Sequence, residues 1–214
     1  MKTFNIIFSV IIFFILLDCC NQPKTFSLQT GDILFRGSLH SSLSRAIDEV
    51  TQTANETHYT HMGIVVKEND TVWVYHAAPK KGVAKETLGQ FKGARIDSLL
   101  VVAYRFKKEY QHLLPKAVVK ARNLVGEPYN YSYVLEDEGF YCSEYVYQLF
   151  VTDSIFKLNP MTFKDTSGIF HSGWVKHYQD LGMEIPEGKP GCNPNGMAAN
   201  DKLIILGALN PNNQ

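Results

Sequence analysis

The stretch "THMGIVVKENDTVWVYHA", Thr60 to Ala77, constrains the fold more than any other part of the chain. Two runs of β-branched and aromatic residues flank "KENDT", which carries hairpin-turn chemistry, so the runs pair as antiparallel strands. Period-two alternation sends His61, Gly63 and Val65 to one face and Met62, Ile64 and Val66 to the other. His61 opens the first strand and His76 closes the second, so both lie near one end of the hairpin and can meet across it. Gly63, beside His61, leaves room for a close approach. "LLVVAYRF" supplies a third, continuous apolar strand suited to a sheet interior, "GDILFRG" a turn and short strand, and "DKLIILGAL" a last strand.

Helical periodicity occupies other stretches. Ser42 to Val50 turns Leu43, Ala46, Ile47 and Val50 inward, and residues 109–124 place Leu114, Ala117, Val118 and Ala121 on one face, with Pro115 marking a start or kink and Gly126 a stop. "HSGWVKHYQDLGM" reads as a short helix. Strands followed by helices without regular alternation argue for an α+β domain. With 214 residues and 45% hydrophobic side chains, the chain holds one globular domain with a substantial core. Its formal net charge is zero and it has no lysine or arginine stripe, which argues against a nucleic-acid partner.

In "GFYCSEYVYQLF", Gly139 to Phe150, Val146, Leu149 and Phe150 follow Cys142 at helical spacing, which puts the cysteine in the first turn of a helix. Unsatisfied N–H groups and the positive end of the dipole favour a thiolate there. The other reading is a small buried hydrophobe. A nucleophilic thiol needs a histidine to take its proton and a third group to orient that histidine. Of seven histidines, His40, His58, His112, His171 and His177 read as solvated or capping residues, which leaves His61 and His76 as a dyad. A metal site would have to recruit His58, His61, His76 and Cys142. "HYTH" on a strand sends residues 58 and 61 to opposite faces, and no paired zinc-ligand spacing is present, so neither metal nor cofactor is expected. Cys192 lies in "KPGCNPNG", which reads as an exposed loop, and a bridge from it to Cys142 is the alternative to two free thiols.

The amino terminus differs in kind. Lys2 precedes an apolar run from Phe4 to Leu17, too short to span a bilayer comfortably and suited to an export signal; the alternative is a buried core helix. "LLDCCN" resembles a bacterial lipoprotein signal, which implies lipidation at Cys19, with Cys20 beside it. The expected organisation is a signal over 1–18, a membrane-proximal tether over 19–30 and one catalytic domain over 31–214. The mature protein is then exported and lipid-anchored to the cell envelope, on a periplasmic or outer-membrane face, or else secreted.

"GDILFRG", "THMGIVV", "VYHAAPKKGV", "VGEPYNYSY" and "FYCSEYVYQLF", in that order, resemble the permuted papain-like branch of the NlpC/P60 superfamily, the YiiX/YebB-like cysteine peptidases and amidases. The resemblance implies a circularly permuted fold, with an antiparallel sheet packed against the helix that carries the cysteine, and the histidine strand preceding it in the chain. It makes Cys142 the nucleophile, His61 the general base and His76 the third polar residue, with the backbone N–H of Cys142 in the oxyanion hole. In many permuted relatives the third residue is glutamate, and a neutral histidine stabilises an imidazolium less than a carboxylate does. Glu144 either stabilises the helix dipole or joins the chemistry. Asp32 belongs to the family pattern, and with Tyr129 and Tyr141 it is a candidate substrate-binding residue, turn-fixing being its other role. Tyr129, Tyr131, Tyr133 and Tyr141 wall the cleft or pack the core. The implied activity is cleavage of an amide in peptide or peptidoglycan-derived material through an acyl-enzyme. The alternatives are an acyltransferase or hydrolase acting on acyl lipids, and an inactive binding module.

Overall fold

The computed structural model describes residues 26–38, 40–93 and 100–209. The apolar run, Cys19 and Cys20 lie outside them. Six strands form one antiparallel sheet: β1 (Ile33–Arg36), β2 (His61–Glu68), β3 (Thr71–Ala78), β4 (Gly82–Thr87), β5 (Val101–Phe106) and β8 (Leu203–Ala208), in the order β4-β3-β2-β1-β5-β8. Two short strands, β6 (Asn159–Pro160) and β7 (Pro190–Gly191), pair separately. The β2–β3 turn is Asn69–Asp70, both with positive φ (46° and 64°), which suits a two-residue hairpin loop whose twist matches that of its strands.

The faces of the sheet carry separate cores. Ile33, Phe35, Met62, Ile64 and Val66 point to one face, which is covered by α1 (Ser42–Val50), α3 (Leu114–Asn123), α4 (Cys142–Leu149) and α5 (Ser172–Leu181). Leu34, Val65, Val74 and Ala103 point to the other, under Leu88 and Phe91 of α2 (Leu88–Lys92). Alternation along β2 therefore runs as the sequence predicts. Leu28, expected in the tether, is buried in this second cluster, so the segment from Phe26 packs on the sheet as part of the folded body.

The helix expected over 109–124 begins instead as a 3-10 turn, Lys108–Leu113, and becomes α-helical at Leu114. Pro115 sits in the first α-helical turn, where its missing N–H leaves no bond unmade. A 3-10 turn, Val151–Asp153, follows α4, and the short helix α6 (Pro194–Ala198) precedes β8. None of the described helices is long and apolar enough to cross a membrane.

Helix α4 packs against β2 and β3 through fully buried Tyr145 and Val146, with Leu149 at its far end, and the Tyr145 hydroxyl donates to the Ala121 carbonyl of α3 (3.1 Å). This packing fixes where residue 142 meets the sheet. Leu149→Ala leaves a cavity in that seam, and urea unfolding is expected to register a loss of about 2–5 kcal/mol.

Candidate active site

Three features of the local sequence place Cys142. Gly139 has φ +89°, and a Cβ there would stand 2.4 Å from the Pro128 carbonyl, so the residue before "FYC" has to be glycine for the chain to press against Pro128. The Phe140 N–H donates to that same carbonyl (3.1 Å) and the Asn130 N–H to the Phe140 carbonyl (3.2 Å), which fixes the entry to α4. At the helix start, the Glu144 carboxyl accepts the Tyr141 N–H (3.1 Å) and the Asn130 side-chain N–H (3.3 Å). Glu144 thus serves the helix terminus; its burial pushes its pKa up to about 7.

The Cys142 sulfur lies over the start of β2. The N–H groups of Ser143, Met62 and Cys142 itself are directed at it, so the residue after His61 touches the thiol through its backbone. No hydrogen bond links the thiol to the His61 ring. Burial outweighs these N–H groups and the nearby Arg36 charge, and pushes the thiol up to about 11. The expected helix-stabilised thiolate is therefore corrected: Cys142 is 6% exposed, and the desolvation of an anion there exceeds what one helix terminus returns.

His61 and His76 do meet. In the β2–β3 register Ile64 faces Tyr75, so His76 lies opposite Gly63 and diagonal to His61 on the same face. A Cβ on Gly63 would stand 2.8 Å from Val74 Cγ1 and 3.0 Å from His76 Cβ; the room at Gly63 is taken by β3 itself. The histidine rings are 4.9 Å apart and nearly perpendicular, with His61 Nε2 2.7 Å from His76 Nδ1. Phe91 of α2 backs both, stacked on His61 (5.6 Å) and edge-on to His76 (5.2 Å).

Behind His76 stands a residue that the sequence did not reveal. Glu86 of β4 lies with Oε2 3.1 Å from His76 Nε2, and Lys81 bonds its other oxygen. Burial alone would raise the Glu86 carboxyl; Lys81 and His76 outweigh it and hold it below the usual carboxylate range. A carboxylate only accepts, so His76 carries its proton on Nε2 and accepts at Nδ1, and His61 donates from Nε2. The lone pair of His61 is thereby assigned to Nδ1. Burial lowers the pKa of both rings, His61 well below its ordinary value and His76 to about 4, the latter despite Glu86. Arg36, cross-strand from His61, adds to both shifts; its guanidinium bonds the Phe91 carbonyl and lies 5.1 Å from the Phe91 ring centroid.

On the other side of Cys142 opens a cavity lined by Tyr129, Tyr133, Tyr141, Met161, Trp174 and Cys192, among others. Tyr129 and Tyr141 are thus at the site. Tyr133 joins them with a strained positive φ of 58°, its hydroxyl 3.5 Å from that of Tyr129. Cys192 is buried rather than exposed, because β7 pairs with β6 and the Cys192 N–H donates to the Tyr141 hydroxyl (3.2 Å). Both thiols are free.

Asp32 is not brought to the site. It precedes β1 at the end away from His61, where Arg105 binds both its oxygens (2.7 and 2.8 Å) and the Gln29 N–H caps it (2.8 Å), so its role is the turn. His58 pairs with Asp48 (2.9 Å), His171 pairs with Glu49 (3.0 Å) and caps α5, His112 bonds the Glu109 carbonyl and His177 the Tyr131 carbonyl. Among the described residues no group of three or more His, Cys, Asp or Glu side chains is disposed to hold a metal ion.

An antiparallel sheet whose histidine strand precedes a cysteine-bearing helix docked on it defines a permuted papain-like protein. The chain belongs to the family described as "Permuted papain-like amidase enzyme, YaeF/YiiX, C92 family", whose model matches residues 27–207. It is 33% identical over 129 residues to the "Uncharacterized protein YiiX" of Escherichia coli strain K12, a match that spans 57% of each chain. Its fold is that of the crystal structure described as "metalloprotein yiiX" from Escherichia coli O157:H7, with a TM-score of 0.70 at 22% identity, covering 87% of this chain and all of that one.

The neutral imidazoles couple stability to pH. Folded His76 stays neutral down to about pH 4, while the unfolded chain takes up that proton near 6.5, so this residue withdraws stability as pH falls between those values, by about 3 kcal/mol at most. Glu144, with its raised pKa, acts in the opposite sense between about 4.5 and 7. His76→Gln is accordingly expected to lose less stability than wild type between pH 7 and pH 4.5 in thermal melts; equal losses would contradict the buried neutral ring.

Proposed function

We propose that the protein is a cell-envelope thiol amidase in which Cys142 attacks the scissile carbonyl, His61 is the base, and His76 with Glu86 orients it. The observation that carries this reading is the hydrogen-bonded series Glu86–His76–His61, which leaves Nδ1 of His61 as its basic nitrogen at the end of β2 where the Cys142 sulfur rests. In the resting protein thiol and imidazole are both neutral. The thiol proton passes to His61 Nδ1 as the S–C bond forms, once bound substrate brings the two groups within reach. The tetrahedral oxyanion is met by backbone N–H groups at the start of α4, that of Cys142 among them. The imidazolium, countered by Glu86 through His76, then protonates the leaving amine as the C–N bond breaks. Water, deprotonated by His61, releases the acid and regenerates the thiol.

An acceptor other than water would turn the same acyl-enzyme toward acyl transfer, and an acyl lipid could serve as donor in place of peptide or peptidoglycan-derived material. The export-type run before residue 19 and Cys19 support an anchored enzyme at the envelope. The name metalloprotein belongs to the Escherichia coli structure.

On N-acyl anilides or p-nitrophenyl acyl esters, Cys142→Ala and His61→Ala should each lower kcat by about 10³-fold or more while the circular dichroism stays native. Retained activity in the alanine variant of Cys142 would refute the mechanism. Glu86→Gln, which frees the tautomer of His76, should cost less than removing His61 and at most about 10⁴-fold. Alkylation of wild-type Cys142 by iodoacetamide should rise only on the alkaline side, toward the raised pKa of about 11; a plateau reached below pH 7 would mean a preformed thiolate.

A further inference from the structure

We infer that the substrate carries an uncharged, apolar group beside its scissile bond, an aromatic or short aliphatic substituent seated in the cavity next to Cys142. This rests on the thiol amidase reading and narrows its substrate class. The cavity is bounded by Ile47 and Val50 of α1, Met161 and Phe163 of the β6 segment, and Trp174 of α5, with Cys142 in its wall. Among the described residues that line it there is no Asp, Glu, Lys, Arg or His.

Several of its polar wall atoms are already engaged. The Thr51 hydroxyl donates to the Ile47 carbonyl (2.7 Å) and accepts from Asn195 (2.9 Å), Asn193 Oδ1 takes the Gly196 N–H (2.7 Å), and the Ser143 hydroxyl donates to the Cys192 carbonyl (3.0 Å). The charged groups of the site, Arg36 and Glu86, bond Phe91 and His76 on the other face of the sheet. A carboxylate or ammonium entering the cavity would lose its water and find no charged group in the described wall, whereas an apolar group gains from leaving water. The cavity's volume, about 130 Å³, is close to the ~150 Å³ of an apolar cavity that takes benzene. That size suits one ring or a short chain, with longer chains leaving through the mouth.

The test compares two thiol reagents of equal reactivity class and shape, N-phenyl iodoacetamide and its 4-carboxylate analogue. Each forms the S–C bond with loss of iodide. Second-order rates at Cys142 are read by peptide mass spectrometry at pH 8 and divided by the rates with 2-mercaptoethanol. The expected normalised rate is at least tenfold higher for the neutral reagent, and Met161→Lys should move the ratio toward the carboxylate by several-fold. Thr162→Lys, at an exposed position on the same rim, gives the same readout if the Met161 variant misfolds. A wild-type ratio near one or inverted overturns the inference, as does failure of both reagents to modify Cys142. His61→Ala separates the two readings: it changes the absolute rates if His61 serves the thiol, while the ratio, set by the cavity, stays put.

Discussion

The contact on which the site depends is the 2.7 Å hydrogen bond between His61 and His76 across β2 and β3. It exists because a tight Asn69–Asp70 turn sets the register, because that register puts His76 opposite a residue without a side chain, and because Phe91 closes the far side of both rings. Glu86 then turns a histidine pair into a directed series. Without a carboxylate at the end, either ring could donate to the other. With it, donor and acceptor are assigned along the whole chain, and the basic nitrogen of His61 is fixed. The carboxylate that this histidine lacks thus stands one strand further out, bonded to its Nε2.

Around Cys142 two effects oppose each other, and their sizes decide the resting state. The helix terminus, three N–H groups and the Arg36 charge all favour a thiolate, but the sulfur is buried against the sheet and desolvation exceeds their sum. Burial acts on the imidazoles in the same way and holds them neutral. The thiol and both imidazoles are therefore uncharged at rest. The cavity beside the thiol lacks formal charge among its described lining.

Much of this was legible in the sequence. The β2–β3 hairpin, the facing of His61, the meeting of His61 with His76 and the helix start at Cys142 follow from periodicity and turn chemistry, which are local. What stayed hidden was tertiary. Glu86 sits in "GVAKET", a short edge strand where Lys85 is exposed and Glu86 buried, and nothing local in the sequence separates the two. The Thr87–Gln90 capping box was the one signal in that region, since it marks the start of α2 and hence the end of a preceding strand. Arg36, last residue of β1, carries no signal in the sequence, and only its pairing with His61 reveals it beside the site. Cys192 looked exposed because "KPGCNPNG" has the composition of a loop, and the hydrogen bond from its backbone to Tyr141 lies 51 residues away in sequence. Asp32 shows the converse: a residue in a recognisable pattern whose place is structural, paired with Arg105 at the far end of the strand.

The most direct measurement is the tautomer and charge of the two imidazoles, read by long-range ¹⁵N–¹H NMR on histidine-labelled protein at pH 7. The account predicts that His61 and His76 are both neutral, each protonated on Nε2, and that Glu86→Gln loosens the assignment at His76. A proton on Nδ1 of His61, or a cationic ring at that pH, would contradict it, because the lone pair that is to receive the Cys142 proton would then already be occupied.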